Sequence, residues 1–306
     1  MNMIDIIVLN YNGANILPLC LPSIVEAAKR SPLPCHVIVL DNKSTDNGLE
    51  YVKKTFPQVK IVIASENRVL FSYNELVRQL DSDVVILLNN DVKVEPGFIA
   101  PLVRHFDGNK VFASSPKQLD FNGNYNGGKN RLAFHFGLME AGPYPYRNND
   151  PVIDKLGFTY YEANSAYDRK KFVELGGFDD IYAPFTWEDS DLGYRAWKEG
   201  YMFIYEPKSL IHHYESYTFD QEIKKIRSRR VISRRNSFIF TWKNITDIKL
   251  ISLHIMLLPL NLLLGVFYDW ARIAAFFEAL RFLPRIYAAR KKAVNKINDA
   301  EIFRGL

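Results

Sequence analysis

Five apolar residues, Val84-Val85-Ile86-Leu87-Leu88, run straight into two amides and a carboxylate, Asn89-Asn90-Asp91. Such a run reads as a buried strand of a parallel sheet, so Asp91 falls at the strand's C-terminal end. In open α/β sheets ligands and their metals bind outside those ends, which makes Asp91 a candidate for touching either. It could instead cap a helix starting near Pro96. A second acidic group, Glu188-Asp189-Ser190-Asp191, follows Trp187 and opens a helix expected over 190–199, closed by Gly200. Acids favour a helix start for electrostatic reasons alone, and Asp191 needs no further role. Trp187 offers either a flat face for stacking or a core contact. His212 and His213 end a later extended segment, where adjacent side chains point opposite ways, so at most one faces a site.

These side chains need a frame, and the N-terminal third supplies a repeating one. Apolar runs at 4–9, 36–40, 59–64 and 84–88 each end in polar residues, and the first three lead into helical stripes such as Pro18, Leu21, Ile24, Val25 and Ala28. Strands alternating with helices of this length argue for right-handed βαβ units, an α/β class and a mostly parallel sheet flanked by helices. The stops Asn10-Tyr11-Asn12-Gly13, Asp41-Asn42-Lys43-Ser44-Thr45-Asp46, Glu66-Asn67 and Asn89-Asn90-Asp91 then share one edge as a polar rim. One such loop is turn chemistry; four in succession point to a nucleotide site. Neither a Gly-x-Gly-x-x-Gly turn nor a Gly-rich loop ending in Lys-Ser/Thr is present, which excludes the dinucleotide and P-loop patterns. After a strand at 111–115, residues 117–149 are rich in Asn, Gly and Pro and read as a loop or hairpin insertion over the rim. Order returns at 158–168, and a strand at 201–205 leads through Pro207 to the histidines.

Hydrophobic residues make up 48% and charged residues 24% of the 306, an ordinary globular balance with material for one large domain or a domain plus an appendage. Cys20 and Cys35 are the only cysteines, without Cys-x-x-Cys spacing, which favours a reduced cytosolic setting and argues against structural zinc. The first residues carry no basic region or cleavage site, so no secretory signal is expected.

With these motifs in order, together with Gly176-Gly177-Phe178-Asp179 and Trp187-Glu188-Asp189-Ser190-Asp191-Leu192, the chain resembles the family 2 glycosyltransferases over about residues 4–213. It is most similar to the non-processive bacterial enzymes that add one sugar, often rhamnose, to cell-surface glycans. The resemblance implies a GT-A fold, a nucleotide-diphosphate sugar donor, Mg²⁺ or Mn²⁺, and inversion at the anomeric carbon. It implies that Asp91, the one carboxylate in the position of the family's Asp-x-Asp motif, holds the metal, completed by His213 or, failing that, His212. Asp41 matches the base-contacting acid, Tyr11 lines the nucleobase, and Asn10, Asn12, Asn67, Asn89 and Asn90 belong to the donor rim. Asp189 matches the catalytic base, with Glu188 orienting it or binding acceptor and Trp187 as an acceptor contact. Relatives follow the third strand with Asn-x-Gly-Phe; Asn67-Arg68-Val69-Leu70 departs from this and implies a reshaped donor pocket.

Such a transfer needs a leaving diphosphate relieved of charge and a deprotonated acceptor hydroxyl. One carboxylate suffices for a metal that keeps waters and takes phosphate oxygens as ligands. A general base is typically worth about 10²–10⁴ in rate.

The expected division is 1–218 as the catalytic domain, with 1–115 nucleotide-binding and 116–218 facing acceptor, and 219–306 as a basic helical tail. The formal net charge of +5 concentrates in Lys224, Lys225, Arg227, Arg229, Arg230, Arg234, Arg235 and Lys243, with no acid between them. That run reads as a solvated helix face or a phosphate-neutralising patch; no nucleic-acid-binding fold accompanies it. Residues 250–268 are borderline for a bilayer span, interrupted by His254, Pro259, Asn261 and Gly265. A basic, aromatic amphipathic helix follows. Together they suit a peripheral position on the inner face of the cell membrane, with a lipid-linked glycan acceptor, or else a hairpin packed on the catalytic domain or a partner copy in a homo-oligomer. The alternatives to a transferase are a nucleotidyltransferase, which would want a basic Gly-rich first loop, and a catalytically inactive sugar-nucleotide-binding or scaffold subunit.

Overall fold

The first strand, β1 (Ile4–Asn10), is buried along its whole length, as a continuous apolar run between two covered faces requires. The structure, a computed structural model, describes residues 3–143, 150–214, 229–293 and 296–304. Helix α1 (Leu17–Arg30) returns along the sheet with Leu17, Cys20, Leu21, Ile24 and Ala27 inward, and Pro18 is accommodated in its first turn. The unit repeats through β2 (Cys35–Asp41), α2 (Gly48–Thr55), β3 (Lys60–Ile63), α3 (Tyr73–Gln79) and β4 (Val84–Asn89). These strands pair in parallel in the order β4-β1-β2-β3, as the sequence pattern predicts. Register aligns Asn10 with Asp41 and Leu9 with Asn89, so the polar stops finish on one line.

Beyond β4 the sheet becomes mixed. After β5 (Val92–Val94), α4 (Ile99–Val103), β6 (Val111–Leu119) and β7 (Tyr125–Gly127), the Gly-rich insertion forms a separate hairpin, β8 (Asn130–His135) and β9 (Leu138–Pro143). Then come β10 (Gly157–Phe158), β11 (Ser165–Asp168), α5 (Arg169–Glu174), α6 (Glu188–Lys198) and β12 (Met202–His213). Strand β11 lies antiparallel between β4 and β6, while β12 runs parallel to β6 and antiparallel to β5. The strand expected at 201–205 continues to His213 because a register shift between Glu206 and Leu210 absorbs Pro207. The 115/116 division falls inside β6.

The tail comprises α7 (Arg229–Asn244), α8 (Ile248–Tyr268), α9 (Trp270–Leu280), α10 (Leu283–Lys292) and α11 (Asp299–Arg304). Phe238, Ile239, Phe240 and Ile245 share one core with Phe112, Tyr167, Trp187 and Tyr194. The first tail helix therefore packs into the core of the preceding α/β part through the aromatic face of α7. The 218/219 boundary itself, with Lys224, Lys225 and Arg227, lies outside the described residues. The solvated reading of the basic run is also corrected at Arg235 and Lys243, which are buried and bonded inward.

Helix α8 is unbroken over 21 residues, and it is long and apolar enough to cross a membrane by length and composition. Its polar interruptions face protein: His254 bonds Gly137 O and accepts from Trp242 Nε1, while Asn261 donates to Phe136 O and accepts from Arg272. Its apolar side chains face out, with Phe267 71% exposed beside Met256, Val266 and Tyr268.

Candidate active site

The rim is tied together by amides. Asn10 Nδ2 donates to Asp41 Oδ1 at 2.8 Å and to Ser44 Oγ, while its Oδ1 accepts from Asn90 Nδ2 at 2.9 Å. Gly13 makes room for this: a Cβ there would stand 2.1 Å from Asn10 Oδ1 and 2.6 Å from Asn90 Nδ2. Asp41 is buried and turned inward, accepting from Asn10, Ser44 Oγ and Ser44 N. Asp41 thereby ties the ends of β1 and β2 together. Asn10 and Asn90, also buried, fasten the rim from within rather than lining its open surface. Asn12 Oδ1 accepts from Thr45 N, and Asn67 Oδ1 closes a turn on Val69 N. Tyr11 and Asn89 are partly exposed at the same edge, with Asn89 N bonded to Asn164 Oδ1.

Asp91 follows β4 by two residues, and the chain turns there into β5. Because β5 pairs antiparallel with the end of β12, Val92 stands opposite His213 and Tyr214 N donates to Asp91 O. This brings His213 Nε2 within 3.2 Å of Asp91 Oδ1. His212 points away, 3.1 Å from Glu95, so its expected fallback role as a metal ligand is corrected by strand alternation. The reading of Asp91 as a helix cap also fails, since α4 begins at Ile99.

Asp91 Oδ1 is buried and accepts no hydrogen bond among the described residues. A buried, hard carboxylate oxygen with an imidazole nitrogen 3.2 Å from it fits a divalent cation that takes its remaining ligands from diphosphate and water. Among the described residues no three His, Cys, Asp or Glu side chains form a complete cage.

The second acidic group begins α6. Thr186 and Trp187 precede it at φ +68° and +74°, a left-handed conformation that costs non-glycine residues of order 1–3 kcal/mol each. Trp187 is 8% exposed and packs on Phe240 with centroids 5.0 Å apart. The expectation of an open stacking face for acceptor is thereby corrected, and the core alternative holds. Glu188 is buried with Oε2 unpartnered. Asp189 is partly buried, with Oδ1 accepting from Ser190 N at 2.7 Å.

Both carboxyls are pushed well above the ordinary range. Burial is the main cause for each; the Asp189 charge adds to it at Glu188, and the Glu162 charge adds to it at Asp189. Both carboxyls therefore hold their protons more tightly than an exposed carboxylic acid does. Asp191 behaves oppositely: burial alone would raise it, but Lys243 and Arg195 hold it well below the usual carboxylate range. It is a structural hub, also accepting from Tyr182 OH and Asn244 Nδ2.

Glu162 escaped the sequence reading. Its Oε2 accepts from Asn130 Nδ2 at 2.9 Å and its Oε1 from Asn164 N, while Asn164 Oδ1 accepts from Asn89 N. A short polar chain thus runs from the neighbourhood of Asp189 through Glu162 and Asn164 to the strand end that carries Asp91. A lone acid in an aromatic stretch, Tyr160-Tyr161-Glu162, was the only available signal. A cavity of about 640 Å³ lies elsewhere, among Arg68, Gly176, Lys198 and Lys292, and neither Asp91 nor Asp189 lines it.

Comparison with known proteins gives this geometry its context. The chain is 24% identical over 247 residues to an N-acetylglucosaminyl-diphospho-decaprenol L-rhamnosyltransferase of Mycobacterium tuberculosis, covering 71% of this chain and 78% of the relative. Among solved structures it resembles GalNAc-T7 with UDP, GalNAc and Mn²⁺ (TM-score 0.59, 18% identity, 79% of this chain and 48% of that one). It also resembles S. aureus TarS with UDP-GlcNAc (TM-score 0.58, 15% identity, 94% of this chain and 84% of that one). The mixed sheet, flanking helices and edge site make a GT-A fold. The model of glycosyl transferase family 2 matches residues 5–176, more than half of the chain, and the protein belongs to that family of glycosyltransferases.

Proposed function

We propose that the chain transfers one sugar, with inversion, from a nucleotide-diphosphate donor to a hydroxyl of a lipid-linked glycan at the cytoplasmic face of a bacterial membrane. The observation that carries this reading is a buried Asp91 carboxylate with His213 3.2 Å away at the strand-end rim, together with a second acid group, buried Glu188 beside Asp189, at the start of α6.

Bound between Asp91 and His213, Mg²⁺ or Mn²⁺ would act as a Lewis acid on the departing diphosphate. The residues of the chain do the rest. Tyr11, Asn12, Asn67 and Asn89 contact the donor along the rim. Asp189, ionised, removes the proton from the acceptor hydroxyl as that oxygen attacks the anomeric carbon. Buried Glu188 holds a proton beside it, so the pair carries one negative charge rather than two.

The acceptor class is supported by the mycobacterial relative, whose name specifies a diphospho-decaprenol carrier. It is supported too by α8, which turns its polar residues inward and its apolar face outward, the arrangement of an interfacial helix. The test is release of nucleoside diphosphate from dTDP-, UDP- and GDP-sugars with Mn²⁺ and a polyprenyl-diphosphate N-acetylglucosamine acceptor. Transfer by the parent and none by Asp189→Asn is expected. Absence of turnover with every donor, alongside donor binding, would replace this reading with that of a binding subunit.

A further inference from the structure

The loop that delivers Glu188 and Asp189 is held from behind by α7, a helix beyond the family match. Asn236 is fully buried, and its Nδ2 lies 2.8 Å from Tyr182 O, 2.9 Å from Phe185 O and 2.9 Å from Thr186 O. Its neighbour Arg235 donates to Ala183 O at 2.5 Å and stacks its guanidinium over Phe282, 5.1 Å from the ring centroid. Two turns further along α7, Lys243 and Asn244 both bond Asp191, 2.7 Å each to Oδ1. The segment 182–191 is thus gripped by α7 on both sides of the acid pair.

We infer that Asn236, seconded by Arg235, is a positioning residue for the catalytic base. This rests on reading Asp189 as that base. A single amide collecting three carbonyls of one loop is poor economy for fold stability alone, since one donor group cannot serve three acceptors at full strength. Its effect is to close the loop's carbonyls around a fixed point. Thr186 and Trp187 occupy left-handed backbone there, a conformation that persists only where surroundings over-determine it. With the amide removed, the loop relaxes and carries the Asp189 carboxylate off the line of attack. Other groups on α7 face different partners: Ser237 and Thr241 bond Met139 of β9, and Trp242 bonds His254 of α8. The same helix therefore joins the apolar tail helices to the loop bearing the base.

The experiment compares full-length parent, Asn236→Ala, the milder Arg235→Lys, and Thr241→Val, which loosens α7 against β9 without touching the loop. Hydrogen exchange is followed over 183–191, and transfer is measured with dTDP-rhamnose, Mn²⁺ and a polyprenyl-diphosphate N-acetylglucosamine acceptor. Asn236→Ala should speed exchange in that segment, lower kcat by about ten- to a hundredfold and leave donor KM within about twofold. Its kcat profile should move its base limb toward lower pH as water reaches the acid pair. Arg235→Lys should do the same more weakly, and Thr241→Val should do neither. Equal losses in Asn236→Ala and Thr241→Val at matched stability, or faster exchange with unchanged kcat, overturn the inference. If the parent itself transfers nothing, the functional reading falls separately, and unchanged exchange over 183–191 then overturns the brace.

Discussion

The Lys243 ammonium stands 2.7 Å from Oδ1 of Asp191, and both side chains are buried. One belongs to the helix that starts with the acid pair, the other to the first tail helix. Lys243 also reaches Asp179 at 2.6 Å, so it closes a three-way junction with Arg195 on the far side of Asp191.

Removing that ammonium leaves a buried carboxylate with fewer partners. Lys243→Met should lower unfolding free energy by about 3 kcal/mol, the usual scale for breaking one side of a buried pair. Asp191 is depressed in the folded state, so its stabilisation is present above the unfolded carboxylate range and is lost as pH falls through the folded value. Acid titration of stability by circular dichroism should therefore show the variant unfolding at higher pH than the parent.

The opposite sign applies to Glu188 and Asp189. Their folded values are raised, so the protein gains from their protonated forms at low pH and loses that gain as pH rises through the folded values. Glu188→Gln should raise Tm at pH 8 more than at pH 5. Activity should follow the reverse trend in the parent, rising with pH as the pair ionises, with a base limb well above the ordinary carboxylate range. A limb near 4 would separate Asp189 from the proton transfer.

Asp91→Asn should abolish Mn²⁺-dependent protection by a nucleotide sugar in thermal unfolding, because a ligand that binds only the folded state raises Tm by mass action. His213→Ala should weaken the protection, and His212→Ala, which faces Glu95, should leave it intact. Transfer by Asp91→Asn should fall about a hundredfold or more.

Gly13→Ala forces its methyl into the Asn10–Asn90 contact. The expected result is weaker donor protection with a stability loss of about 1–3 kcal/mol, the cost of overpacking. Wild-type donor affinity in this variant would show that the rim amides do not shape the donor surface.

Val266→Glu combined with Phe267→Glu places charge on the exposed side of α8. Flotation with phosphatidylglycerol vesicles should recover the parent and leave the variant in solution. Equal flotation of both would remove the membrane reading of that helix.

Much of the frame was legible because strand and helix periods repeat: four apolar runs, four polar stops and the offset from β4 to Asp91 follow from local pattern. Strand alternation also foretold that His212 and His213 would face apart. What stayed hidden were partners set by distance in sequence. Arg235 and Lys243 sit in a run that looks solvated, and only the fold brings Ala183 and Asp191 to them. Asp41 has the residue type and position of a ligand contact, and its bonds to Asn10 and Ser44 could not be read from the sequence. Strand β11 spans only Ser165–Asp168, too short to announce that it would enter antiparallel and make the sheet mixed. Two of the interruptions of α8, His254 and Asn261, form its inward polar side, with fixed partners that the sequence does not reveal.

Asp299 in α11 accepts from Tyr194 and lies 2.5 Å from Lys198, so α6 is fastened by residues translated about a hundred positions later. A ribosome-bound chain that has emerged only through β12 already owns the strand-end rim and both acids but lacks these fastenings. Those contacts form only once α11 is made, after the apolar α8.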